Sequence, residues 1–199
     1  MFEPLHADAF VTSEVGGTVT AAWFENDELF FDELSTGHRF TELVATRLRE
    51  RGVAAEVTPM ERRRTIDDRG EFSSEIDLFA GTDRKPIEVK SRQLTFGTDP
   101  RSYPYRTAFV DTVSGWDAKT RKPVAVVLVS QLTQEMLVVP PSRRAHWTVE
   151  RKHDRVRNIT DSWYCAPRGY LRTFDQFVEW LLPDARSEST GPTSLDKRC

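Results

Sequence analysis

The chain has 199 residues, 38% hydrophobic and 30% charged, with a net charge of −3. That much apolar material supports one sizeable core and excludes global disorder, and no apolar run approaches the roughly 18 residues of a membrane-spanning helix. Two cysteines, Cys165 and Cys199, exclude a disulfide framework and a zinc site built from CxxC pairs, and the start at Met1 lacks a basic segment before an apolar one, so a soluble cytoplasmic protein with no membrane partner is expected.

Charge is unevenly placed. Residues 1–38 hold eight acidic side chains and no Lys or Arg, leaving 23 acidic against 28 basic residues in the remainder, a balance of +5. A basic body that binds a polyanion fits this pattern, and so does an ordinary solvated surface of mixed charge. The first 35 residues read as an acidic arm packed on the body through Trp23, Phe24, Leu29, Phe30 and Phe31. Ser35 or Thr36 is placed to cap a helix over 36–51, whose Phe40, Leu43, Val44 and Leu48 share one face, with Gly52 as its stop. Short strands follow at 53–58, 76–80 and 87–91, and 94–121 reads as an irregular connection. The β-branched run 123–129 predicts a central strand buried on both faces, with 136–139 as its neighbour. A basic segment spans 143–157, a short amphipathic helix 174–182, and 184–199 reads as a disordered tail.

One constellation carries chemistry. In Pro86-Ile87-Glu88-Val89-Lys90-Ser91, alternation puts Glu88 and Lys90 on one face while Ile87 and Val89 turn to the core. Asp77 sits between Ile76 and Leu78 in the preceding strand. A four-residue turn at 82–85 brings Asp77 to the same face, opposite Lys90; a one-residue slip would send it to the other side. Charges in short apolar strands are expensive unless they are paired or used. A solvent-side ion pair on an edge strand is the plainer reading of the same residues.

An Asp, a spacer and Glu-x-Lys on adjacent strands, after a helix bearing a Glu, resembles the PD-(D/E)XK nuclease superfamily over about residues 36–130, with Ile76 where the motif's name has Pro. The resemblance implies an α/β domain over 36–183 with a restriction-endonuclease-like α-β-β-β-α-β core, a central mixed sheet flanked by helices. It implies a Mg²⁺-dependent deoxyribonuclease (Mn²⁺ substituting), acting on DNA in repair, recombination, phage or restriction processes, junction resolution included, and it allows a homodimer. An exonuclease and a catalytically silent DNA-binding or assembly module are the alternatives. Carried over by residue, Asp77, Glu88 and the Val89 carbonyl would hold the metal, Lys90 would be the catalytic lysine, and Glu42 the helix acid. The residue types suit the reaction: hard carboxylate oxygens hold Mg²⁺, and an ammonium offsets charge that builds on an already anionic phosphate.

Around this set, Glu75 and Gln93 are candidate auxiliaries, and Arg92 extends the alternation from Lys90 toward a phosphate contact. Arg62, Arg63 and Arg64 could flank a groove or simply solvate a turn. In the basic segment, Arg143, Arg144, Arg151, Lys152, Arg155 and Arg157, interleaved with His146, Trp147 and His153, suit backbone binding with stacking. His38 reads as a helix-start residue, and Trp163, Tyr164 and Tyr170 as packing.

Overall fold

The computed structural model describes residues 21–59, 76–154 and 159–182, with side chains over 35–59, 76–153 and 160–182. The chain divides into two units, Met1–Leu34 and Ser35–Cys199. The features expected at residues 1–20, at Arg62–Arg64 and Glu75, at Arg155 and Arg157, and in the tail 184–199 lie outside the described residues.

The first helix, α1 (Ala21–Glu50), runs through the expected cap at Ser35 and Thr36, so its start is not at 36. His38 is likewise inside the helix rather than at its start. Phe40, Val44 and Leu48 recur every four residues and are buried in one core. The helix stops as the sequence suggests. Gly52 takes φ +80°, where a side chain would be strained, and two bonds close the end, Gly52 N–H to the Arg49 carbonyl (3.0 Å) and Val53 N–H to the Leu48 carbonyl (3.0 Å).

The second unit is α/β, with a mixed six-stranded sheet in the order β1-β2-β3-β5-β6-β9. Its members are β1 (Ala55–Val57), β2 (Leu78–Ala80), β3 (Lys85–Arg92), β5 (Ala125–Ser130), β6 (Met136–Val139) and β9 (Arg172–Thr173). β1, β2 and β3 form an antiparallel meander, and β5 lies parallel to β3, from Ile87 opposite Ala125 to Arg92 opposite Ser130. Every residue of β5 is buried. Its alternation divides two cores: Ala125, Val127 and Val129 face the core with α1, while Val126 and Leu128 face a second. Burial at roughly 1.5–3 kcal/mol per large aliphatic side chain makes this strand the axis of the unit. The closing helix α3 (Phe174–Leu181) presents Phe177, Val178 and Leu181 to the first core and is held by a capping box between Thr173 and Gln176.

The connection 94–121 is not irregular throughout. It contains β4 (Thr107–Thr112) and the short helix α2 (Val113–Ala118). β4 pairs with β8 (Ile159–Pro167), which pairs with β7 (Thr148–Asp154), in a separate three-stranded sheet. The second core lies between the two sheets, with Ala108, Val110 and Ala166 from one and Val126, Leu128 and Leu137 from the other.

Candidate functional site

The β2–β3 hairpin keeps the expected parity but shifts its turn. The four turn residues are Gly81–Arg84 rather than 82–85, with φ +75° at Gly81 and φ 51° at Arg84, and Ala80 pairs Lys85. Continuing one step past the Leu78–Ile87 pair puts Asp77 level with Glu88 instead of Lys90. An even displacement changes the neighbour without changing the face. Asp77, the residue just before β2, accepts the Val89 N–H on its Oδ2 at 2.7 Å. Burial raises the Asp77 pKa above its ordinary value, and the Lys90 ammonium and the Val89 N–H pull against it.

Glu88 is 4% exposed, an acid inside the sheet. Lys90 Nζ is 2.5 Å from its Oε1, and Lys119 Nζ is 3.3 Å from its Oε2. Lys119 also lies 3.1 Å from Asp111 Oδ2. Burial works to lower the Lys119 pKa, but the carboxylates of Glu88 and Asp111 outweigh it and hold the ammonium above its usual value. The site thus joins β3 of one sheet to β4 of the other through the residue that ends α2.

Local structure explains how Asp111 and Lys119 arrive. β4 carries a bulge: Phe109 pairs Cys165, yet Asp111 pairs Tyr164, so Val110 is the extra residue. Simple alternation would put Asp111 on the face of Phe109. The bulge turns it to the side of Ala108 and Val110, against the second core. The Thr112 N–H donates to Asp111 Oδ1 at 2.8 Å, and Thr112 Oγ1 caps α2 by accepting the Gly115 N–H at 2.9 Å. Lys119 follows the last residue of the helix, its N–H bonded to the Trp116 carbonyl.

The other expected residues are placed differently. Glu42 is half exposed on α1, with the Arg49 guanidinium at 3.9 Å and the His38 ring at 4.0 Å, and it is not among the ion-pair partners that gather around Glu88. Arg92 turns inward rather than to solvent. Its guanidinium donates to the carbonyls of Phe109 (3.2 Å) and Ser91 (3.3 Å), and burial lowers its pKa. It ties the two sheets together, so a phosphate contact is not the use its guanidinium has here. Gln93 is exposed past the end of β3.

Arg151 and Lys152 are exposed neighbours on β7, so they point to opposite faces of the strand. Lys152 sits over the Phe109 ring at 5.5 Å, and Phe109 in turn packs against Trp163 at 5.8 Å. Arg144 is engaged by Asp117 and the Tyr164 hydroxyl, and His146 stacks on Tyr170. Among the described residues of the basic segment, Arg144 is thus drawn to Asp117 and Tyr164, while Arg151 and Lys152 leave opposite faces of β7.

Among the described residues no group of three or more His, Cys, Asp and Glu side chains is placed to hold a metal ion. The donor chemistry nonetheless fits a hard cation that keeps several of its waters and takes one or two carboxylates. Glu88 Oε2 and Asp111 Oδ2 are buried without a hydrogen bond and face the Lys119 ammonium, and the register extended one step past Leu78 puts Asp77 level with Glu88. Sequence reasoning missed Asp111 and Lys119. The only signal for either was a charged residue in a stretch read as irregular. No family model, curated protein or solved structure matches this chain.

Proposed function

We propose that this protein is a divalent-metal-dependent deoxyribonuclease with a restriction-endonuclease-like core. The observation that carries the reading is the parity of the β2–β3 hairpin, whose register, extended one step past Leu78, puts Asp77 level with the buried Glu88, with Lys90 ion-paired to Glu88. The element order supports it: a helix, an antiparallel three-stranded meander, a crossover containing β4 and a short helix, and a strand parallel to the third. Asp77, Glu88 and the Val89 carbonyl would hold Mg²⁺, or Mn²⁺ in its place. A cation there supplies Lewis acidity and a more acidic bound water. Lys90 directs its charge to where the scissile phosphate gains negative charge, and Asp111 keeps Lys119 against the far oxygen of Glu88. Lys152, with Phe109 and Trp163 beside it, offers the nucleic acid a cation and aromatic faces.

A catalytically silent DNA-binding module is the second reading, favoured by the two ammonium groups that already balance Glu88. Incubation with linear, circular, single-stranded and branched DNA, in Mg²⁺ or in EDTA, separates the two. Metal-dependent cutting of closed circles is the expected result, and it distinguishes an endonuclease from an exonuclease. DNA binding without cutting of any substrate would support the silent module.

A further inference from the structure

One ammonium, that of Lys119, bridges two carboxylates that come from different sheets. Lys119 Nζ stands 3.3 Å from Glu88 Oε2 and 3.1 Å from Asp111 Oδ2, and both oxygens are buried without a hydrogen bond. The lysine is not a loose surface side chain. Its backbone closes α2, and its side chain is only 14% exposed. The oxygens that attract this ammonium also attract a small divalent cation, with twice the Coulomb pull at a given distance, while the cation keeps several of its waters.

We infer that Lys119 is an internal counter-ion: it holds Glu88 and Asp111 in place in the cation-free protein and competes with a divalent cation for Glu88. The inference rests on the reading of Glu88 as a metal ligand, and it makes Lys119 a positioning residue for that ligand. Besides Lys119, Glu88 has Lys90 as a partner, and Asp111 has the Thr112 N–H. A cation arriving at Glu88 takes over the neutralising role and pushes the ammonium toward Asp111.

The test is Lys119→Met in the full chain, which removes the charge and keeps most of the stem. Mn²⁺ affinity is measured by calorimetric titration, and melting temperature with Mn²⁺ and with EDTA. The variant is expected to melt below the parent in EDTA, to bind Mn²⁺ about tenfold or more tightly because a nearby like charge is gone, and to regain more of its melting temperature in Mn²⁺ than the parent gains. Asp111→Asn leaves Lys119 to Glu88 alone and is expected to weaken Mn²⁺ binding. If Lys119→Met does not fold, Asp111→Asn decides, and unchanged or tighter binding overturns the inference. A Lys119→Met protein with unchanged or weaker affinity, and an equal fall in melting temperature with and without Mn²⁺, also overturns it. The metal reading then still stands if the parent's Mn²⁺ binding is lost in Glu88→Gln. Absence of Mn²⁺ binding from the parent and both variants overturns the inference and the reading together.

Discussion

Lys90→Ala separates catalysis from stability because Glu88 has two cationic partners. Lys90 is 27% exposed along its side chain while Glu88 is 5% exposed, with the two charges 2.5 Å apart. If Lys90 were the sole partner, its removal would strand a buried carboxylate, at a cost of about 3–5 kcal/mol. Lys119 remains 3.3 Å from the other oxygen, so Glu88 stays compensated. The loss of stability is expected to be that of one charge-assisted hydrogen bond, about 1.5–3 kcal/mol, and toward the low end of that range. The catalytic loss is larger. Removing one preorganised charge aimed at the transition state costs on the order of 100–1000-fold, about 3–4 kcal/mol. Urea denaturation gives the first quantity and single-turnover cleavage in Mg²⁺ the second, with DNA affinity in Ca²⁺ expected to hold. Cleavage at the parental rate would refute the assignment of Lys90. A stability loss above about 3 kcal/mol would refute the claim that Lys119 shares Glu88.

Three further expectations follow from the same geometry. A Cβ on Gly115 would lie 2.7 Å from Thr112 Oγ1 and 3.2 Å from Asp111 Oδ1; Gly115→Ala therefore disturbs the α2 cap, and the loss of about 1–2 kcal/mol outweighs the helix preference for Ala of at most about 1 kcal/mol, so a variant more stable than the parent in urea would contradict the contact. Burial raises the Asp77 pKa above 3.8, which makes the folded state the tighter proton binder, so this group's contribution to stability is full below 3.8 and is lost as pH rises through the higher folded value. Asp77→Asn, which keeps an oxygen for the Val89 N–H, is expected to exceed the parent in stability at neutral pH in EDTA, with the gap closing below about pH 3.8; paired denaturation curves check it, and a gap that widens on acidification would count against the sign. Neutralising Arg151 and Lys152 together is expected to flatten the slope of log affinity against log salt by about 0.9, one duplex phosphate contact, because the two side chains leave β7 on opposite faces; a change twice as large would mean that both reach the nucleic acid.

The local rules of the chain were legible where the physics is local. The period-two alternation of Glu88 and Lys90, the even parity that keeps Asp77 on their face, the Gly52 stop and the doubly buried strand near 125–130 all follow from backbone geometry over a few residues. The start of α1 did not follow, because Ser35, Thr36 and Gly37 express preferences of about 1 kcal/mol or less, and a Cβ at Gly37 would meet nothing within 4 Å. The turn position was missed by one residue at each end, since Gly81 can take the positive φ that the turn requires, and no local pattern chose between the two even registers. Arg92 was read from alternation as a solvent-side cation, but the second sheet offers it the Phe109 carbonyl from 17 residues away. Asp111 and Lys119 reach Glu88 only by tertiary means: a bulge at Val110 reverses the face of one, and the end of a six-residue helix delivers the other. Alternation predicts which side of a strand a residue takes, whereas what stands opposite that side is decided by how the two sheets pack.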